Sequence, residues 1–369
     1  MNQKILIMAA GTGGHILPAL SVAKALQAYD IEIHWLGTEF GLEQKLIPPT
    51  KIPIHTIKMR GIRGKGIVGL LIAPFRLLYA ACQAIHLIRK LKPTTVIGFG
   101  GFVTAPGGLA SWLLRKPLIL HEQNAVAGLS NRCLSYLATI VFQAFPDTFP
   151  LSRHAITCGN PVRAEIIALP SPELRFKNPG QPLRVLIIGG SLGAAVFNQI
   201  IPETLGAFAL SERPEVWHST GKGAAEKVQN TYNQSGITAH VVEFIADMSR
   251  AYAWADLVIC RAGASTIAEL AAVGVASILI PYPHAVDDHQ TKNGAWLVNA
   301  GAAILIPQNQ LNPQKLAALL VKFSSDRQAL LDMAMAARTL AITDATQRIV
   351  EAVIHTQKSA PPSSHQKRS

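Results

Sequence analysis

Three stretches of this 369-residue chain carry residue types at spacings that can do chemistry. Cys260-Arg261-Ala262-Gly263-Ala264-Ser265-Thr266-Ile267-Ala268-Glu269-Leu270 reads as a strand end, a small-residue turn and a helix start. Small residues allow close backbone approach, Ser265 or Thr266 can cap the helix, and its first N–H groups and positive dipole end can hold an anion without a metal. Glu269, one turn inside, can accept hydrogen bonds from two vicinal hydroxyls such as a ribose offers. Taken alone, the same stretch also fits an ordinary capped helix with a solvated glutamate. The second stretch is an apolar run, Ile5 to Ala10, that breaks into Gly11-Thr12-Gly13-Gly14-His15 and resumes as a helical pattern. It suits a phosphate or sugar cradle, or a plain tight turn, but not a dinucleotide fingerprint, because G-x-G-x-x-G counted from Gly11 would need glycine at Ile16. In the third, Pro281 to Asn293, polar side chains crowd after a proline-shaped turn and suit hydrogen bonding to a sugar. A metal held by Asp287, Asp288 and His289 is disfavoured because the aspartates are adjacent, without a D-x-D spacing. Neither metal nor cofactor is expected.

These stretches need elements to position them. Short aliphatic runs at Ile31–Leu36, Thr95–Phe99, Leu118–Leu120 and Ile140–Phe142 alternate with helical stretches after the opening unit. That alternation predicts a parallel sheet with helices on both faces. Polar residues follow the runs, as in His121-Glu122-Gln123-Asn124 and Gly159-Asn160-Pro161, at the carboxyl ends where open α/β sheets bind ligands. Proline and glycine then cluster from Leu169 to Gly180, and the pattern restarts at Arg184 with the turn Gly189-Gly190-Ser191-Leu192-Gly193-Ala194. Further strands are expected at Val216–Ser219, His240–Glu243, Leu257–Cys260, Ala276–Ile280 and Ala303–Ile306. The reading is an N-terminal Rossmann-like domain over 1–163, a C-terminal one over 164–339, an interdomain cleft for the ligand, a long helical stretch from about Asp326 to Thr356 whose end (340–356) returns to the first domain, and a disordered basic tail over 357–369.

Composition narrows the partners. Hydrophobic residues make up 49% and charged residues 15%, yet no run reaches the length of a membrane span, and the six apolar residues after Lys4 are too few for a signal peptide. A cytosolic chain is expected. Its four cysteines are far apart, which suggests neither a zinc site nor a disulfide framework. The net charge of +12 favours an anionic partner. No basic cluster interleaved with aromatics is present, so nucleic acid is not expected.

Gly11 to His15, His121 to Asn124, Gly159-Asn160-Pro161-Val162-Arg163, Gly189 to Ala194, Cys260 to Ala264 and Asp287-Asp288-His289-Gln290 together resemble the MurG family, in order, over about residues 4–355. The family consists of UDP-N-acetylglucosamine transferases of peptidoglycan synthesis. The resemblance implies a GT-B fold and an inverting transfer from UDP-N-acetylglucosamine to the C4 hydroxyl of undecaprenyl-diphospho-N-acetylmuramoyl-pentapeptide, with a β-1,4 bond formed and UDP released. It implies that Ile245 meets the uracil through its backbone, Glu269 holds the ribose, and Arg163 and Ser191 lie by the nucleotide and its phosphates. Ala264, Ser265, Thr266, Ile267 and Ala268 then form the cradle. Asn124 and Gln290 address the N-acetylglucosamine, and Thr12, Gly13 and Gly14 close over it. Leu192 stands where the family often has glutamine, and Ala262-Gly263 where it often has Ser-Gly; both changes are compatible with the backbone cradle, while Leu192 offers no amide side chain for a contact.

Inversion by one displacement needs a base on the acceptor side. His15 is the candidate, since an imidazole exchanges protons near neutrality, and Glu122 is the runner-up. A lipid-linked acceptor also gives a purpose to the greasy stretch that starts at Ile67. Arg60, Arg63 and Lys65 stand beside Ile67, Val68, Leu70, Leu71, Ile72, Phe75, Leu77, Leu78 and Tyr79, with Trp112, Arg115 and Lys116 later. This pattern suits adsorption to an anionic membrane surface, or a core helix with a snorkelling rim. The expected location is the cytoplasmic face of the inner membrane, peripheral, with envelope-synthesis proteins as candidate partners. A UDP-N-acetylglucosamine 2-epimerase is the rival enzyme, a non-catalytic sugar-nucleotide or lipid-binding protein the rival outside enzymes, and a nicotinamide oxidoreductase a third reading.

Overall fold

The computed structural model describes residues 3–59, 66–176, 181–190 and 193–358, with side chains from residue 72 in the second segment and to residue 356 in the last. The basic tail beyond residue 358, the cationic residues Arg60, Arg63 and Lys65, and the side chains of Ile67, Val68, Leu70 and Leu71 fall outside this description. The chain divides into two compact units, one of Met1–Gln123, Ala127–Pro161 and Asp344–Ser369, the other of Asn124–Val126 and Val162–Thr343.

In the first unit the strands are β1 (Lys4–Ala9), β2 (Glu32–Thr38), β3 (Ile54–Ile57), β4 (Thr95–Gly100), β5 (Leu118–Glu122), β6 (Ile140–Gln143) and β7 (Ile156–Thr157). They form one parallel sheet in the order β3-β2-β1-β4-β5-β6-β7. Its helices are α1 (Gly13–Gln27), α2 (Glu43–Leu46), α3 (Gly66–Leu91), α4 (Thr104–Leu113) and α5 (Leu129–Leu134). The unbroken apolar run of β1 follows from burial on both faces. Ile5, Ile7 and Ala9 pack with Ile16, Ala19 and Val22 of α1, while Leu6, Met8 and Ala10 pack with Ala80, Ala84 and Ile88 of α3.

The second unit holds α6 (Ala164–Ile167), α7 (Pro172–Arg175), β8 (Arg184–Ile188), α8 (Ala195–Gly206), β9 (Glu215–Ser219), α9 (Ala225–Gln234), β10 (Ala239–Val242), α10 (Met248–Trp254), β11 (Leu257–Cys260), α11 (Ala264–Val273), β12 (Ala276–Leu279), α12 (His289–Asn299), β13 (Ala303–Leu305), α13 (Pro313–Ser325) and α14 (Arg327–Thr339). Its six-stranded sheet is parallel, in the order β10-β9-β8-β11-β12-β13. Asp256, just ahead of β11, takes a two-point contact from Arg184 (Nη2–Oδ1 2.7 Å, Nε–Oδ2 3.3 Å) and ties β8 to β11.

Two expectations need correction. The helical stretch expected from about Asp326 to Thr356 is two helices, α14 and α15 (Ala345–Lys358), separated by residues 340–344. The chain passes from the second unit to the first between Thr343 and Asp344. Residues of low helix propensity, Ile342-Thr343-Asp344, stand at the break. Beyond it Ile349, Val350 and Val353 of α15 are buried with the residues of α1. The edge strands β3 and β7 were also not expected. With four and two residues, they are too short for alternation to register.

Candidate active site

Each sheet reverses its strand order once, between β1 and β4 in the first and between β8 and β11 in the second. The carboxyl ends at such a reversal are where open α/β sheets bind ligands. The glycine turns of both units sit at these points.

In the first unit Gly11 turns the chain at φ +97°, a conformation that suits glycine. Its N–H donates to Glu43 Oε2 (3.1 Å), and Glu43 Oε1 accepts from the N–H and hydroxyl of Thr38 (2.8 and 2.7 Å). Glu43 is fully buried, so its carboxylate fixes the turn against β2 before any ligand arrives. Sequence reasoning missed this residue; the helix of which it is the first residue is only four residues long. Thr12 is exposed at the N-cap of α1 without a side-chain capping bond, and Gly13, Gly14 and His15 form the first helical turn. The His15 ring lies against Gly100 at the end of β4, where a Cβ would come within 2.7 Å of its Cδ2.

The polar run after β5 is largely internal. His121 is fully buried, with Nε2 donating to Gly159 O and Nδ1 accepting from Gln123 Nε2, both at 2.9 Å. Burial pushes its pKa down to about 4, against the opposing pull of the Gly159 bond, so it is neutral at pH 7. Glu122 is buried, and its Oε2 accepts from Gly128 N–H (3.0 Å) and Asn131 Nδ2 (2.9 Å). It shapes the loop into α5.

In the second unit, α11 begins at Ala264 with Gly263 at the N-cap and no side-chain capping bond. Neither Ser265 nor Thr266 caps the helix, because each lies inside it. Ser265 Oγ is buried with no hydrogen-bond partner among the described residues. The small residues of the turn and the unspent Ser265 hydroxyl are features of this helix start that suit an anion. Ala264 and Ile267 are buried, Ala268 partly so, and Glu269 follows on the same helix. The Glu269 carboxylate receives Arg163 Nη2 on Oε1 (2.9 Å) and the Tyr252 hydroxyl on Oε2 (3.0 Å). Burial raises its pKa while Arg163 and Tyr252 pull it back, the net shift being upward. Burial works against the charge of Arg163, and the adjacent Glu269 outweighs it, raising the guanidinium pKa. Two bonds leave lone pairs on a carboxylate for two hydroxyls. Tyr252 was not anticipated, since aromatic positions on a helix read as core.

Asn124–Val126 belongs with the second unit. Asn293, fully buried in α12, accepts Ala125 N–H (2.7 Å) and donates to Asn124 Oδ1 (3.2 Å) and Ala262 O (3.2 Å). One amide thus connects Asn124 to the turn before α11. Sequence analysis placed Asn293 in the polar stretch without giving it a role, because its two partner segments are remote in the chain. Gln290, also on α12, accepts Tyr282 N–H (2.8 Å), and Arg261 donates to the carbonyls of Ile280 and Pro281 (3.1 Å each), which pins the turn after β12. Asp287 and Asp288 both have positive φ, at 54° and 49°, a costly pairing that suits a loop shaped for a ligand. Ile245 is buried ahead of α10, the helix that carries Tyr252. Ser191 lies outside the described residues; beside it Gly193, at φ +73°, abuts Thr220 O, where a Cβ would clash.

Residues 5–143 match the glycosyltransferase family 28 N-terminal domain and residues 184–349 its C-terminal domain. A protein of Marinobacter nauticus named UDP-N-acetylglucosamine--N-acetylmuramyl-(pentapeptide) pyrophosphoryl-undecaprenol N-acetylglucosamine transferase is 51% identical over 95% of this chain and 96% of its own. One of the same name from Aeromonas hydrophila is 50% identical over 95% and 96%. The crystal structure of Acinetobacter baumannii MurG superposes with a TM-score of 0.83 at 40% identity, covering 96% of this chain and 99% of that one. The chain belongs to the MurG family of glycosyltransferases. A UDP-N-acetylglucosamine 2-epimerase structure, 14% identical with a TM-score of 0.64 and 98% of each chain covered, shares the fold alone.

Proposed function

We propose that the protein transfers N-acetylglucosamine from UDP-N-acetylglucosamine to the C4 hydroxyl of undecaprenyl-diphospho-N-acetylmuramoyl-pentapeptide, with inversion, forming the β-1,4-linked disaccharide. The observation that carries this reading is a Glu269 carboxylate oriented by Arg163 and Tyr252 one turn inside α11, behind the glycine N-cap and the unspent Ser265 hydroxyl. The helix start takes the diphosphate, Glu269 the ribose hydroxyls and the backbone at Ile245 the uracil. Asn124 and Gln290 take the sugar. The acceptor oxygen attacks the anomeric carbon, the bond from that carbon to the UDP oxygen breaks with its electron pair, and the N–H groups at α11 stabilise the leaving charge. The acceptor proton goes to the His15 imidazole. Glu122 is less suited, because its carboxylate is buried and holds the loop into α5.

The lipid-linked acceptor requires a membrane surface. Phe75, Leu78 and Tyr79 project from α3 with 73%, 64% and 54% of their surface exposed, and Trp112 and Leu113 do so at the end of α4, next to Arg115 and Lys116. No helix among the described residues is long and apolar enough to cross a membrane. Peripheral adsorption to the anionic cytoplasmic face of the inner membrane fits these features, and envelope-synthesis proteins are the proposed neighbours there.

Incubation with UDP-N-acetylglucosamine and a short-chain lipid-linked muramoyl-pentapeptide, with NMR of the product, tests the reaction. A β-1,4-linked disaccharide and no UDP release without acceptor are expected. A 2-epimerised sugar nucleotide formed from the donor alone would overturn the proposal.

A further inference from the structure

The first unit carries a groove two strands away from β1. One wall is the open edge of β3, Ile54–Ile57, and the other is the face of α3 bearing Cys82, Gln83, His86 and Leu87, around a cavity of about 630 Å³. Among the described residues β3 pairs only with β2. Trp35 N–H donates to Pro53 O (2.9 Å), so by the alternation of a parallel ladder the backbone of Ile54 and Thr56 points to the open side. Lys58 N–H is the next donor on that side, and Gln83 Oε1 accepts it at 2.9 Å. A side chain of α3 there does what the carbonyl of an added strand would do.

The charge of the groove selects the occupant. No lining residue is acidic, and of the two histidines His55 is held below the ordinary imidazole value by burial and by the nearby His34 and Lys90, so the positive charge here is that of lysines. Lys58 follows the strand, and Lys90, one turn beyond His86, lies near enough to His55 to act on its charge. The chain's own C-terminal segment is basic and does not suit this rim. We infer that the groove takes an extended acidic segment of a partner protein, added to β3 as a further strand with alternate side chains in the cavity.

Anisotropy titration of a fluorescein-labelled octapeptide of alternating Glu and Val into the full-length chain tests this. Saturable binding is expected, weakened tenfold or more by the double substitution His86→Glu, Lys90→Glu, and slowed exchange of the Ile54 and Thr56 amides should accompany it. On the wild-type chain, the same peptide N-methylated at alternate amides should also bind at least tenfold more weakly, an arm that needs no variant to fold. Absence of saturable binding, equal binding of an alternating Lys–Val peptide, or indifference to N-methylation overturns the inference.

Discussion

His15 and Glu269 divide the proposed work, and their substitutions should separate accordingly. His15→Ala removes the proton acceptor but no donor contact of the second unit, so kcat should fall about 10²- to 10⁴-fold with little change in KM for UDP-N-acetylglucosamine. Undiminished turnover would falsify the assignment. Glu269→Ala deletes two charge-assisted bonds to the ribose, each worth roughly 1.5–3 kcal/mol, and should raise donor KM about 10²- to 10⁴-fold. Tyr252→Phe removes one orienting hydroxyl and should raise donor KM by less than Glu269→Ala does. An equal rise would mean that the tyrosine itself touches the donor. The sequence singled out Glu269 as a carboxylate one turn inside a glycine-started helix, and the structure shows that helix over Ala264–Val273. The bond of Glu269 to Arg163, which the family resemblance put by the nucleotide, was not legible there, because the two are 106 positions apart in the chain.

At the scale of elements, the exposed apolar residues Phe75, Leu78 and Tyr79 of α3 and those at the end of α4 carry the membrane reading. Phe75→Glu with Leu78→Glu places two charges on an already exposed face, which should leave the fold intact and cut co-sedimentation with anionic vesicles several-fold. Unchanged co-sedimentation sinks the adsorption. The central strands were readable because burial on both faces demands continuous apolar runs, as in β1 and β8. The edge strand β3 was not, since Pro53-Ile54-His55-Thr56 has no such run. Its strand character comes from register with Trp35 to Thr38 on β2, a pairing set by the tertiary fold.

Across the whole molecule, the last helix closes the first unit. Ile349 is fully buried against the core shared with α1, and Ile349→Ala should destabilise that unit by about 2–5 kcal/mol, read as a lowered urea midpoint. Two buried histidines set the pH dependence. His121 is depressed to about 4 and His218 to about 3, chiefly by burial. Below an ordinary histidine pKa of about 6.5 the unfolded chain binds protons that the folded one refuses, so stability is full above that pH and is lost as pH falls. The slope is up to roughly 1.4 kcal/mol per pH unit for each group. Urea midpoints at pH 7, 6 and 5 should fall in that order, and His218→Gln should flatten the second unit's dependence. Midpoints independent of pH would show that these rings are solvated.

Sequence alone determined the two parallel-sheet units, the glycine turns at their strand ends and the helix start bearing Glu269, because alternation, turn residues and helix-start chemistry are local. Only the tertiary structure decided which polar residues are spent inside the protein. Glu43, Glu122 and His121 hold loops in place, while Ser265 keeps a hydroxyl unspent. Burial and partner choice depend on segments remote in the chain, and no spacing along the sequence encodes them.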